Sequence, residues 1–301
     1  MLRRRRAQPA GLLLLALASS PLVAQRDAAL RSTLASIART SRGQLGVGVE
    51  ILETGRQVVI NDDFHYPMQS VYKLPIAMAV LHRVDAGELE LDSAVAVRPS
   101  DFVSPGQHSP VRDAHPEGTR LTLRELLRFT VAESDGSTSD VALRLAGGPS
   151  RVMRYLRGLG VHDLIVATTE QEIGRDHRVQ FRDWTTPSGC LSLLRALARG
   201  HALSDSNQAL LMHFMTTGTR GTSRIAGLLP QGTPVAHKPG SSGTAGGVAA
   251  ATNDIGIVTL PNGQHMAIAV LLANARGADA ARDSVIARAS RAAYDAISAA
   301  R

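Results

Sequence analysis

Apolar residues recur along this chain with two different periods, and the changes from one to the other outline a fold. Past residue 24, Leu30, Leu34 and Ile37 share one helical face, which predicts a helix to about Ala38. Strict alternation follows at Leu45, Val47, Val49 and Ile51, with an apolar partner at Val58 to Ile60, the pattern of two half-buried strands. From about residue 68 to 219 the chain reads mostly as helices and loops. Thr122-Leu-Arg-Glu125 is a capping box, in which hydroxyl and carboxylate each take up an unpaired backbone N–H at a helix start. Further helical runs cover about 138–146, 150–158, 188–199 and 205–216. Strand character returns at Thr233 to His237, Gly247 to Thr252, Ile255 to Leu260 and Met266 to Leu272, with Pro261-Asn262-Gly263 as a hairpin turn between the last two. A final helix repeats small or apolar residues at Ala281, Val285, Ala289, Ala292 and Ala296. Strands at both ends with helices between them predict an α+β architecture. One antiparallel β-sheet, flanked by the N- and C-terminal helices, would form a discontinuous domain from residues 25–66 and 220–301, and residues 67–219 an all-α domain.

Residues 1–24 stand outside this pattern. Arg3 to Arg6 are followed by the apolar run Gly11 to Ala18 and the small-residue site Leu22-Val23-Ala24, which together read as a cleavable signal peptide and predict a periplasmic protein. The run is about half of the roughly 20 residues a spanning helix needs, so no membrane attachment is expected after cleavage. Loss of the four leader arginines lowers the formal net charge from +7 to +3. No cluster of basic and aromatic residues is left, so no nucleic-acid partner is expected, and Arg282, Arg288 and Arg291 read as the solvated face of the last helix. At 301 residues and 44% hydrophobic content the chain can build its own core as a monomer. Cys190, the single cysteine, cannot form an internal disulfide, and among Leu191, Leu193, Leu194 and Leu197 it reads as a buried thiol.

Candidate chemistry begins with a bias. Of the 33 basic residues only Lys73 and Lys238 are lysine. Arginine never gives up its proton, whereas the pKa of a lysine can move. In Ser70-Val71-Tyr72-Lys73 the two end residues lie one turn apart on a helix that continues apolar to Leu81. A hydroxyl at a helix start lies beside unpaired backbone N–H groups, and a partly desolvated lysine can take its proton, the equipment of an activated serine nucleophile. Lys238 lies in His237-Lys238-Pro239-Gly240-Ser241-Ser242-Gly243 at a strand end, where a cation can hold a substrate carboxylate and small residues admit a ligand. Between them the loop after the capped helix carries Ser134-Asp135-Gly136.

These three motifs, in this order, resemble the signature of serine β-lactamases and penicillin-binding proteins, and their spacing over the mature chain is similar to that of class A β-lactamases. The resemblance implies that Ser70 is acylated by a β-lactam carbonyl and that Lys73 activates it, alone or with Glu170. It implies that Ser134 passes a proton to the lactam nitrogen with Lys238 nearby, and that the N–H groups of Ser70 and Ser241 form an oxyanion hole. Glu170, in Thr169-Glu170-Gln171-Glu172-Ile173-Gly174, falls where the family's Ω-loop glutamate activates the deacylating water. Arg224 matches a position where some members carry an arginine for the substrate carboxylate. Tyr66-Pro-Met-Gln69 and Val179-Gln180-Phe181, followed by Trp184, are similar to the extended-spectrum PER-type branch.

The chain departs from the family pattern at Gly136, where an asparagine amide would contact the substrate, at Gly174, where an asparagine would help hold the water, and at Pro239, which replaces a threonine. The Arg–Asp pair that usually flanks the glutamate is also expected to be missing. Pro239 should cost no ladder bond, because N–H groups two apart on a strand point to the same edge. The function implied is hydrolysis of penicillins and cephalosporins, conferring resistance. The alternatives are a penicillin-binding DD-peptidase and a non-catalytic protein that binds β-lactams or cell-wall fragments. The ten histidines show no metal-ligand spacing and no phosphate-cradling loop follows a strand, so no metal, nucleotide or other cofactor is expected beside the small-molecule substrate.

Overall fold

The computed structural model describes residues 21–298. The signal-peptide reading therefore lies outside the described residues, apart from residues 21–24, which form the first turn of a helix. In chain order come α1 (Pro21–Thr40), β1 (Gln44–Ile51), β2 (Arg56–Ile60), β3 (Tyr66–Pro67), α2 (Lys73–Asp85), β4 (Ala94–Val97), α3 (Pro110–Ala114), β5 (Thr119–Thr122), α4 (Leu123–Val131), α5 (Gly136–Leu145) and α6 (Pro149–Gly158). They are followed by β6 (Leu164–Ile165), α7 (Glu170–Arg175), β7 (Trp184–Thr185), α8 (Pro187–Ala198), α9 (Asp205–Thr216), β8 (Val235–Ser241), β9 (Thr244–Ala245), β10 (Val248–Thr259), β11 (His265–Arg276) and α10 (Asp279–Ser298). None of the described helices is long and apolar enough to cross a membrane.

The two ends of the chain meet in one antiparallel sheet of order β2-β1-β11-β10-β8, with β9 added beside β10. Its alternation sorts two cores. Leu45, Val47, Val49 and Ile51 of β1 and Met266, Ile268, Val270 and Leu272 of β11 pack with Leu30 and Leu34 of α1 and Val285, Ala289 and Ala293 of α10. Ala267, Ala269 and Leu271 join the larger core around Leu74, Met78 and Leu81 of α2 and Leu191 and Leu194 of α8. Every residue of α2 from Lys73 to Leu81 is buried, so the helix that starts at the first lysine is the centre of the molecule.

β1 is buried on both faces from Leu45 to Ile51 rather than half-buried, because α8 covers its second face. Small residues make this close approach possible: a Cβ on Gly46 would lie 2.6 Å from the Tyr66 ring, and one on Gly48 3.0 Å from Leu191 Cδ1. Buried Glu50 is met by Arg195 of α8 through two hydrogen bonds of 2.7 Å, the paired form in which a charge can leave water.

Three further expectations change. The segments Gly247 to Thr252 and Ile255 to Leu260 are one continuous strand, β10, which carries Asn253 and Asp254 between them as buried polar residues with partners. The helical middle also contains short ladders, β4 with β5 and β3-β7-β6. Arg282 is not on a solvated face: it is buried, and its guanidinium reaches Thr252 Oγ1 at 3.0 Å and Thr244 Oγ1 at 3.3 Å, fastening α10 to the sheet. Cys190 is buried, and desolvation pushes its thiol up to about 12.

Candidate active site

The turn Gln69–Tyr72 that presents Ser70 is tight, and Gln69 enters it at φ +49°, a left-handed conformation that costs a non-glycine residue on the order of 1 kcal/mol. Its surroundings impose that conformation. Asn253 Nδ2 donates to the carbonyls of Pro67 at 2.8 Å and Met68 at 3.2 Å, and Gln69 Nε2 donates to Gln180 Oε1 at 2.6 Å. β8 lies directly against the turn: a Cβ on Gly240 would sit 2.5 Å from Met68 O and 3.2 Å from Ser70 N. Only glycine allows this approach.

β8 is an edge strand. The N–H of Ser242, just past its end, donates to Ala251 O of β10, so alternation turns the N–H of Ser241, and the position of Pro239, to the open edge. The proline therefore costs no ladder bond, as expected.

Both lysines converge on Ser134. Lys73, 1% exposed, donates to the Ser134 carbonyl at 2.7 Å, and its Nζ lies 2.9 Å from Glu170 Oε1. Lys238, 0% exposed, donates to the Ser134 hydroxyl at 2.9 Å and to Pro239 O at 3.2 Å. Burial, reinforced by the Lys73 ammonium, holds Lys238 well below the usual lysine range. Ser134 is itself at φ +60°. Asp135 locks it there by accepting from Thr138 N at 2.8 Å at the start of α5 and from Val111 N at 2.8 Å in the facing loop.

Two expected substrate contacts are arranged differently. Gly136 is buried beneath the loop before α3, its N–H bonded to His108 O at 2.9 Å. A Cβ there would stand 3.2 Å from both that carbonyl and Val103 Cγ1, so this loop occupies the place of the missing amide. Arg224 is buried, with 8% of its surface exposed. It bonds Asp283 at 2.7 Å, the carbonyls of Gly240 at 3.1 Å and Asn253 at 2.8 Å, and Ser241 Oγ at 2.6 Å, so it faces the cleft through the Ser241 hydroxyl. Behind Lys238, His237 pairs with buried Asp254 at 2.8 Å. Burial disfavours the imidazolium, but the Asp254 charge outweighs it and raises the His237 pKa.

Glu170 stands on the opposite wall at the start of α7. Asp140 caps that helix, accepting from the N–H of Glu170 at 2.7 Å and of Gln171 at 2.9 Å. Enclosure pushes the Asp140 carboxyl up to about 7 against these two bonds. In the same loop Asp183 accepts from Ala167 N at 2.6 Å, from Thr168 N at 3.1 Å and from the Thr168 hydroxyl, and burial pushes it up to about 6. Nothing in the local sequence marks Asp140, Asp183, Asn253 or Gln107. Each is an ordinary polar residue until a remote backbone comes to it. No group of three His, Cys, Asp or Glu among the described residues is placed to hold a metal ion.

A nucleophile candidate at a helix start, two buried lysines sharing one serine and a carboxylate on the first lysine now define a class. Residues 29–297 match the family described as the beta-lactamase enzyme family, and the chain belongs to it. It is 35% identical to the β-lactamase VEB-1 of Pseudomonas aeruginosa over 83% of this chain and 84% of that protein. Identity to the extended-spectrum β-lactamase PER-1 of the same organism is 34%, over 88% and 86% respectively, in keeping with the PER-type resemblance. Among solved structures, a β-lactamase from Chitinophaga pinensis superposes with a TM-score of 0.86 at 41% identity, covering 89% of this chain and 99% of that one. The TLA-3 extended-spectrum β-lactamase gives 0.87 at 35% identity, over 90% and 99%.

Proposed function

We propose that this protein hydrolyses β-lactams, penicillins and cephalosporins among them, through an acyl-enzyme on Ser70. The observation that carries the reading is the arrangement around Ser134, with Lys73 on its carbonyl, Lys238 on its hydroxyl and Glu170 on Lys73. Ser70 Oγ attacks the lactam carbonyl carbon, and its proton leaves to the Lys73 amine, which has first given up its own proton, to Glu170 2.9 Å away or to solvent. The N–H groups of Ser70 and Ser241 receive the developing oxyanion, a role in which one donor is worth about 3 kcal/mol. When the C–N bond breaks, the Ser134 hydroxyl protonates the departing nitrogen and is reprotonated with the proton Lys73 took from Ser70, Lys238 stabilising the oxygen in between, and Lys73 then recovers its own proton. Glu170 then takes a proton from water as it adds to the acyl carbon, and Ser70 departs with its proton restored. Lys238 and Ser241 Oγ, the latter oriented by Arg224, meet the substrate carboxylate. Gly136 shapes the cleft by letting the Val103–His108 loop lie close.

The carboxylate on Lys73 is what the DD-peptidase alternative lacks, and kinship does not favour that alternative or a non-catalytic binder. Cleavage after Ala24 would release a monomer into the periplasm and trim only the first turn of α1, and hydrolysis there would confer β-lactam resistance. The test uses mature protein, a chromogenic cephalosporin and intact-protein mass spectrometry. Ser70→Ala abolishes hydrolysis and the adduct, and Glu170→Gln accumulates an acyl adduct on Ser70. Normal turnover by Glu170→Gln would remove Glu170 from the deacylation step.

A further inference from the structure

We infer that Gln107 is a positioning residue that fixes the Glu170 carboxylate, and that residue 174 is glycine in order to seat it. The inference rests on the reading of Glu170 as the group that activates water. Gln107 Nε2 donates to the Glu170 carbonyl at 2.6 Å and reaches Glu170 Oε2 at 3.3 Å. The orientation of the amide is dictated from its other end, where Oε1 accepts from Ser104 N at 3.1 Å and from Ser104 Oγ at 3.0 Å. A backbone N–H can only donate, so the oxygen must face Ser104 and the NH2 must face Glu170. With Oε1 of Glu170 on Lys73 and Oε2 toward Gln107, both carboxylate oxygens are held and the plane of the group is set.

The loop that carries Gln107 is built to stay in place. Gln171 Nε2 donates to the carbonyls of Ser100 at 2.9 Å and Phe102 at 3.0 Å, and Arg112 Nη1 to those of Val103 at 3.1 Å and Ser104 at 2.6 Å. Gly174 completes the seat. It does not have the positive φ that would call for glycine, and glycine within a helix costs about 0.5–1 kcal/mol relative to alanine. Space is the reason for it: a Cβ at 174 would collide with Gln107 Oε1 and Ser104 Oγ and stand 2.8 Å from Gln107 Cδ. The departure at Gly174 thus exchanges a side chain on α7 for an amide delivered from the facing loop.

The test separates acylation from deacylation by stopped-flow and by decay of the acyl adduct in mass spectra, for the parent, Gln107→Ala, Gln107→Glu, Gly174→Ala and the Gln107→Ala/Gly174→Ala double variant. A displaced base costs rate steeply, so Gln107→Ala should slow deacylation about tenfold relative to acylation. Gln107→Glu places a like charge beside Glu170 and should move the acid limb of the deacylation pH profile upward. Gly174→Ala should reproduce the Gln107→Ala defect, and the double variant should be no worse than Gln107→Ala alone, because both remove one contact. A merely structural role would lower thermal stability and both steps together, leave the acid limb in place and make the two defects additive, and any of these results overturns the inference. Parent turnover with unchanged steps in Gln107→Ala overturns it alone. A parent that never releases its acyl group overturns the functional reading and this inference with it.

Discussion

The two walls of the cleft are held by different kinds of structure. Lys238 and Ser241 lie on β8, whose position is set by seven consecutive residue pairs with β10, from Thr252↔Ser241 to Val258↔Val235. Behind that wall Arg224 and the His237–Asp254 pair act as struts. Glu170 opens the six-residue helix α7, too short to hold itself, and its supports are side chains and carbonyls 30, 63 and 71 residues away: Asp140, Gln107 and the carbonyl of Ser100. A backbone ladder positions by repetition and tolerates a changed side chain. A wall hung on single polar contacts depends on each of them, and its carboxyls at about 7 and about 6 make it sensitive to pH.

The contrast can be broken first at its rigid side. Lys238→Arg puts a larger, fixed cation into a fully enclosed site, and kcat/KM for a cephalosporin should fall about 100-fold or more, with some loss of thermal midpoint from overpacking. Next, Gly240→Ala sets a Cβ 2.5 Å from Met68 O, between strand and nucleophile turn, and should cost about 1–3 kcal/mol in urea unfolding as well as slow acylation.

The softer wall is probed by pH. The Asp140 carboxyl is raised in the fold to about 7, so the stability it contributes is full below the ordinary carboxylate range and is lost as pH rises through 7. Measured by urea midpoints from pH 4 to 8, the parent should therefore lose stability relative to Asp140→Asn, which cannot ionise. Parallel curves would show that Asp140 is not the titrating group, and Asp183, common to both proteins, should cancel. The smallest effect is expected from Thr168→Val, which removes one of three donors to Asp183. It should cost about 1 kcal/mol in the same assay and raise the Asp183 pKa further.

The same contrast explains which parts were legible in advance. Leu45, Val47, Val49 and Ile51, the Thr122–Glu125 capping box and the Ser70–Lys73 spacing are local patterns, and the structure keeps each of them. The apolar pattern of β10 breaks at Asn253-Asp254, and only the buried partners at Pro67 and His237 show why these polar residues stay inside one strand. Arg282 looks like a surface charge for a similar reason: a guanidinium is assigned to water until hydroxyls and carbonyls from other elements enclose it.

What the sequence determined by itself is whatever depends on residues near one another in the chain. The alternating and helical periods, the antiparallel hairpin and the two lysines retained in an arginine-rich chain all survive as local rules. Tertiary structure decided what depends on encounters between distant segments. It brought both lysines to one serine, hid Gly136 under a loop and put the Gln107 amide into the space left open by Gly174. The physical reason is directional: hydrogen bonds and close packing act over a few ångströms, and only the finished fold brings those partners within that reach.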